Sequence, residues 1–218
     1  MIDTNGAPMP RTRIKICGVT TEQAALAAAD AGADAIGLVF APGSPRYLEP
    51  ARAWEIASVL PPFVASVALF VDVDLERFIE IEQTCPATLV QFHGNEPDEL
   101  VRHCGPNLIK AVRFDPTTIA GELARWNAVE EVDAILIDGS SGGKGTSFDW
   151  SSLPAYLAGI DTPIILAGGL TPDNVGDAIR AVRPFAVDVS SGVERDRGVK
   201  DVGLIEAFCR AVREADAR

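Results

Sequence analysis

The chain is short of the groups that mark metal, redox and nucleic-acid proteins. It has four cysteines in 218 residues, at positions 17, 85, 104 and 209. Their spacings fit neither a zinc site nor a C-x-x-C redox pair. Nothing in the sequence points to export, so the four are read as reduced thiols. Positive charge is scarce: 19 Lys and Arg face 31 Asp and Glu, for a net charge of -12 and a pI near 4.6. That balance argues against nucleic acid and anionic membrane as general partners. An anionic small substrate remains open, but local donors would have to attract it. No apolar run reaches membrane-spanning length. No G-x-G-x-x-G follows the first strand candidate, and no sequence period marks a solenoid. Residues 1–12 lack the apolar stretch of a signal peptide and read as a frayed tail. The expectation from these absences is a cytoplasmic, monomeric protein acting on a small molecule.

What is present is alternation. The chain is 47% hydrophobic and 23% charged, which suits one sizeable core. Residues 13–17 read as a strand with Ile14 and Ile16 on one face and Arg13, Lys15 and Cys17 on the other. Thr20 or Thr21 then offers an N-cap to an alanine-rich helix. Strand-like runs recur at residues 33–40, 63–71, 88–92, 107–112, 132–138, 162–166 and 185–189. Several are apolar throughout, as in parallel strands buried on both faces. Helix-like runs follow each, at residues 50–59, 74–83, 97–104 and 117–126, weakly at 153–157, up to 182, and at 201–214. Eight such units with right-handed crossovers predict an α/β fold, a single eight-stranded (β/α)8 TIM barrel over residues 13–218. An open doubly wound sheet is the competing architecture, disfavoured by the missing dinucleotide motif.

Polar and glycine-rich segments cluster after the strands, at what becomes the C-terminal face. Ala167-Gly168-Gly169-Leu170 and Asp188-Val189-Ser190-Ser191-Gly192 follow the seventh and eighth strands, where barrels often bind phosphate. Glycines let backbone N–H groups approach an anion and serines add donors. Cys17 and Asp138 end strands one and six; a thiol and a carboxyl on one face can serve as base and acid. The bland alternatives are a packed thiol and a turn-forming Asp-Gly pair. The thiol acts as a base only where the thiolate is stabilised, and Lys15 shares its strand face. Arg46 offers a guanidinium to a carboxylate, or is a solvated surface charge. Gln91-Phe92-His93-Gly94 places His93 just after strand four, to contact substrate or to cap a turn; His103 reads as structural.

In order along the chain stand Lys15-Ile16-Cys17-Gly18, Pro42-Gly43-Ser44-Pro45-Arg46-Tyr47 and Gln91-Phe92-His93-Gly94. Gly142-Gly143-Lys144-Gly145 with Phe148-Asp149-Trp150, Ala167-Gly168-Gly169-Leu170 with Pro172-Asp173-Asn174-Val175, and Asp188-Val189-Ser190-Ser191-Gly192-Val193-Glu194 complete the set. Together they closely resemble the phosphoribosylanthranilate isomerases of tryptophan biosynthesis, from Arg13 to the last helix. Gly43, Phe92 and Lys144 depart from the residues usual there. The resemblance implies a cofactor-independent Amadori rearrangement of N-(5-phosphoribosyl)anthranilate, an intramolecular aldose-to-ketose isomerisation needing no metal. It implies Cys17 as general base and Asp138 as general acid. By the same resemblance Arg46 grips the anthranilate carboxylate, and Gly168, Gly169, Asp188, Ser190, Ser191 and Gly192 serve the phosphate end, with Gln91 and His93 also in the substrate site. Two other readings stay open: another phosphosugar barrel enzyme, such as an epimerase or a thiamin-phosphate-type synthase, and a barrel that binds a phosphorylated metabolite without catalysis.

Overall fold

Strand β1 (Arg13–Cys17) shows how the sequence builds each unit. Its two faces separate as expected: Ile14 and Ile16 turn outward into the helix-facing core, while Lys15 and Cys17 face the barrel interior, both buried. The computed structural model describes residues 11–139 and 149–217. Thr21 is the N-cap of α1 (Glu22–Asp30), accepting from Ala24 N at 3.2 Å. Next come β2 (Ala35–Val39), α2 (Pro50–Ser58), β3 (Ala65–Phe70), α3 (Leu75–Thr84), β4 (Leu89–Phe92) and α4 (Asp98–Cys104). The chain continues through β5 (Leu108–Arg113), α5 (Ile119–Asn127), β6 (Val132–Asp138), β7 (Ile164–Ala167), α6 (Val175–Val182), β8 (Ala186–Val189) and α7 (Val202–Asp216).

The eight strands run parallel and pair in sequence order, and β8 closes on β1, with Lys15 opposite Asp188 and Ile16 opposite Val189. The barrel expectation is met and the open sheet is excluded. The core divides by strand face. Outward residues such as Ile36, Phe70, Phe92 and Ile137 pack against the helices. Small and branched inward residues, among them Ala35, Val67, Ala134, Leu136 and Ile165, fill the interior, so the barrel is a packed core rather than a pore. At its C-terminal end a third group gathers Cys17, Val39, Ala41 and Leu69. That apolar rim forms the floor on which the site is built.

Two elements differ from expectation. The weak helical piece before β7 is a 3-10 helix, Trp150–Tyr156, capped by Asp149 and carrying Pro154 inside it, where a missing N–H blocks a regular α-helix. After β8 the expected polar loop is a 3-10 turn (Ser191–Val193) followed by a two-stranded antiparallel hairpin, β9 (Glu194–Asp196) and β10 (Val199–Lys200). At the other end of the chain, attachment begins before Arg13. Arg11 pairs with Asp34, and Thr12, which is buried, donates from N and Oγ1 to Asp216 at 2.8 and 2.7 Å. Residues 1–10 of the expected tail lie outside the described residues.

Candidate active site

The strand ends deliver their side chains to one cavity at the C-terminal mouth. Cys17, Arg46, His93, Asp138, Gly168, Gly169, Asp188, Ser190 and Ser191 all line it. The apolar wall between them is Val39, Ala41, Leu69, Val71 and Leu170. Gln91 and Gly192 are the two expected site residues that do not line it. Gln91 is fully buried beneath, where its Nε2 meets His93 Nδ1 at 2.8 Å. Gly192 is packed so closely that a Cβ there would lie 1.9 Å from the Leu170 carbonyl oxygen. It joins the two late loops by backbone contact.

Lys15 and Asp188 form a buried ion pair across the β1–β8 seam, Nζ to Oδ1 at 2.7 Å. Asp188 therefore commits one oxygen to the barrel interior. Cys17 lies beside this pair. Burial pushes its thiol up, Lys15 pulls it down, Asp188 pushes it up again, and the outcome is a thiol above its ordinary value. The help expected from Lys15 is real but smaller than the cost of burial. Room for the sulfur comes from β2: Gly37 is the register partner of Cys17, and a Cβ there would stand 2.8 Å from Sγ.

Asp138 ends β6 opposite Arg113 and Ala167. His93 Nε2 approaches its Oδ2 at 3.3 Å. A Gln91 amide that donates to His93 Nδ1 leaves the ring proton on Nε2, facing the carboxylate. His93 thus lines the cavity with Nε2 turned toward the Asp138 carboxylate, a contact that neither the substrate-contact nor the turn-capping reading named. Gly168, at φ +89°, makes this possible from the other side. A Cβ there would meet Gly139 N at 2.4 Å and Asp138 Oδ1 at 2.8 Å. Asn174 pins the same loop, accepting from Thr171 N at 2.7 Å and donating to the Gly169 carbonyl at 2.9 Å.

Arg46 reaches the cavity from the β2–α2 loop, but part of its donor set is already used. Nε and Nη2 form a fork onto Glu194, at 2.7 and 2.8 Å. Lys200 Nζ joins the same carboxylate at 2.8 Å. Burial alone would raise the Glu194 carboxyl; Arg46 and Lys200 outweigh it and hold the group down at about 2. Glu194 and Lys200 were not singled out as site residues from sequence. The pattern that hides them is Glu194-Arg195-Asp196-Arg197-Gly198-Val199-Lys200, a charge run that reads as solvated surface until the hairpin folds it under. Lys144 falls outside the described residues. Among the described residues no group of His, Cys, Asp and Glu is placed to hold a metal ion.

A family model described as N-(5'phosphoribosyl)anthranilate (PRA) isomerase matches residues 14–211. A Pseudomonas aeruginosa (strain UCBPP-PA14) N-(5'-phosphoribosyl)anthranilate isomerase is 50% identical over 208 residues, covering 94% of this chain and 97% of the relative. The phosphoribosyl anthranilate isomerase of Thermotoga maritima superposes with a TM-score of 0.83 at 40% identity, over 93% of this chain and 99% of that one. A second solved isomerase is in complex with reduced 1-(o-carboxyphenylamino)-1-deoxyribulose 5-phosphate; it has a TM-score of 0.81 at 39% identity, with the same coverage. With the match spanning nearly the whole barrel, the chain belongs to the N-(5'-phosphoribosyl)anthranilate isomerase family.

Proposed function

We propose that this chain converts N-(5-phosphoribosyl)anthranilate into 1-(2-carboxyphenylamino)-1-deoxyribulose 5-phosphate, with Cys17 as general base and Asp138 as general acid. The observation that carries the reading is that the ends of strands one and six reach the same cavity. A thiol and a carboxyl, far apart in sequence, line one cavity that has Arg46 and the two glycine–serine loops on its walls. A substrate with a carboxylate at one end and a phosphate at the other fits that division of donors. The phosphate end goes to backbone N–H groups and hydroxyls of Gly168, Gly169, Ser190 and Ser191. The carboxylate goes to the part of the Arg46 guanidinium outside the Glu194 fork.

Each step then balances on the sugar itself. Asp138 gives a proton to the furanose ring oxygen as the C1–O bond breaks, and the nitrogen lone pair forms the iminium. Cys17 takes the proton from C2; its bonding electrons become the C1–C2 double bond and quench the iminium. The enolamine tautomerises to the aminoketose. No electron leaves the substrate, so the step needs no external oxidant or reductant. The cationic iminium also favours the thiolate at the moment the base is needed, offsetting the burial that holds the free thiol up. His93, fixed by Gln91, keeps Asp138 oriented toward the ring oxygen.

The test is turnover of freshly prepared phosphoribosylanthranilate followed by loss of its fluorescence, with Asp138→Asn as control. Conversion by the wild type and its collapse in Asp138→Asn are expected; a wild type without turnover overturns the reading. We keep the monomer and the cytoplasm as parts of this proposal. Among the described residues no helix is long and apolar enough to cross a membrane. Light scattering checks the assembly; a dimer would overturn the monomer and leave this site intact, since one chain supplies its lining.

A further inference from the structure

Glu194 and Lys200 are absent from the cavity lining, yet together they touch both ends of it. They face each other as register partners across the β9–β10 hairpin. Both are buried, with side chains 4% and 1% exposed. Lys200 Nζ donates to Glu194 Oε1 at 2.8 Å and to the Ser190 carbonyl at 2.9 Å, and it reaches Ser190 Oγ at 3.3 Å. Glu194 in turn takes the Arg46 fork and, on Oε2, the Gly198 N–H at 3.1 Å. A path of four groups, Arg46–Glu194–Lys200–Ser190, thus runs from the guanidinium to the serine loop.

One physical point separates this cluster from ordinary structural ion pairing. An arginine loses rotamer freedom when fixed, and a side chain fixed beforehand does not lose it again on binding.

We propose that Glu194 and Lys200 are positioning residues that hold Arg46 and the Ser190–Gly192 loop in one frame, so that the carboxylate and phosphate of a single ligand are read at a fixed separation. This rests on the reading of Arg46 and the late loops given above. Glu194 acts directly on the carboxylate end, through Arg46; it reaches the phosphate end only through Lys200, which keeps its own bond to the Ser190 carbonyl. Lys200 acts on both ends, because it holds Glu194 and Ser190 at once.

The experiment measures binding of three unreactive ligands by calorimetry. One is reduced 1-(o-carboxyphenylamino)-1-deoxyribulose 5-phosphate; the others are the same molecule without its carboxylate and without its phosphate. The affinity ratio of complete to truncated ligand gives a carboxylate preference and a phosphate preference for each protein. Glu194→Gln is expected to cut the carboxylate preference by about tenfold or more and to leave the phosphate preference within about twofold. Lys200→Met is expected to cut both by about tenfold. A purely structural role would weaken all three ligands alike and move neither ratio. A wild type with no preference for the complete ligand sinks the site reading itself. A wild type with both preferences, kept in both variants, overturns this inference and leaves the site reading standing. Should Lys200→Met fail to fold by circular dichroism, the neutral pair Glu194→Gln with Lys200→Met removes the charges together and is expected to lose both preferences; their retention overturns the proposal.

Discussion

Cys17 sits where burial and charge pull its proton in opposite directions. Burial wins in the free protein, and the thiol titrates above its ordinary range. Because kcat/KM reports the free enzyme's base, its rising limb is expected above the usual thiol pKa of about 8.5. Lys15→Met removes the largest influence working the other way and leaves Asp188 unpaired beside the sulfur, so it should move that limb to still higher pH. A pH–rate profile of each protein checks this; a limb that stays put in Lys15→Met would show that the thiol is not the group titrating. Cys17→Ser is expected to lower kcat by about a hundredfold or more, the lower end of what a general base contributes, with the fold kept. Cys85 and Cys209 are fully buried in the helix-facing core, so their serine variants should cost stability and leave kcat nearly unchanged. Cys17 and Lys15 were legible in the sequence because period-two alternation alone puts them on one face. Gly37 was not. Its closeness to the sulfur comes from the β1–β2 register, which no local pattern encodes.

Among elements, the β9–β10 hairpin carries a clear titration signal. Glu194 is held down at about 2, so the stability it contributes is complete above its ordinary value near 4.5 and is lost as pH falls toward 2. Glu194→Gln behaves as a permanently neutral form. The wild type is expected to exceed it by on the order of 2 kcal/mol at pH 6, with the gap closing as the pH drops through that window. Urea melts at several pH values measure it; a gap unchanged between pH 6 and pH 3 would refute the assignment. The regular helices and strands were readable because burial leaves a helical period, a two-residue alternation or a short continuous apolar run in the sequence. The hairpin left none: its strands are two and three residues long, and its buried members are a glutamate and a lysine that neutralise each other only once folded. The 3-10 segment before β7 was equally weak for a different reason, a proline inside a short helix.

At the scale of the whole molecule, the barrel is closed by residues near the two ends of the chain. Strand β1 pairs with β8, and Thr12, just ahead of β1, is bonded twice to Asp216 at the end of α7. Arg11 and Ile14 N–H both engage Asp34, the residue before β2. The overall topology was legible because eight repeats of strand and helix admit one closed parallel arrangement. This closure was not, since a threonine and a C-terminal aspartate separated by 204 positions carry no shared signal. Asp216→Ala takes the acceptor from a buried backbone N–H and from a buried hydroxyl. Leaving such donors unmade costs roughly 1–3 kcal/mol, which corresponds to a fall in Tm of several degrees for a domain of this size. Thr12→Ala removes only the hydroxyl and should cost less. A chain beginning at Arg11 keeps every one of these bonds, whereas one beginning at Arg13 loses those of Arg11 and Thr12 and should fall below it in Tm. Calorimetric melts of the full chain and the four variants decide the matter. Equal Tm values for the chains beginning at Arg11 and at Arg13 would show that the ends do not clamp the barrel.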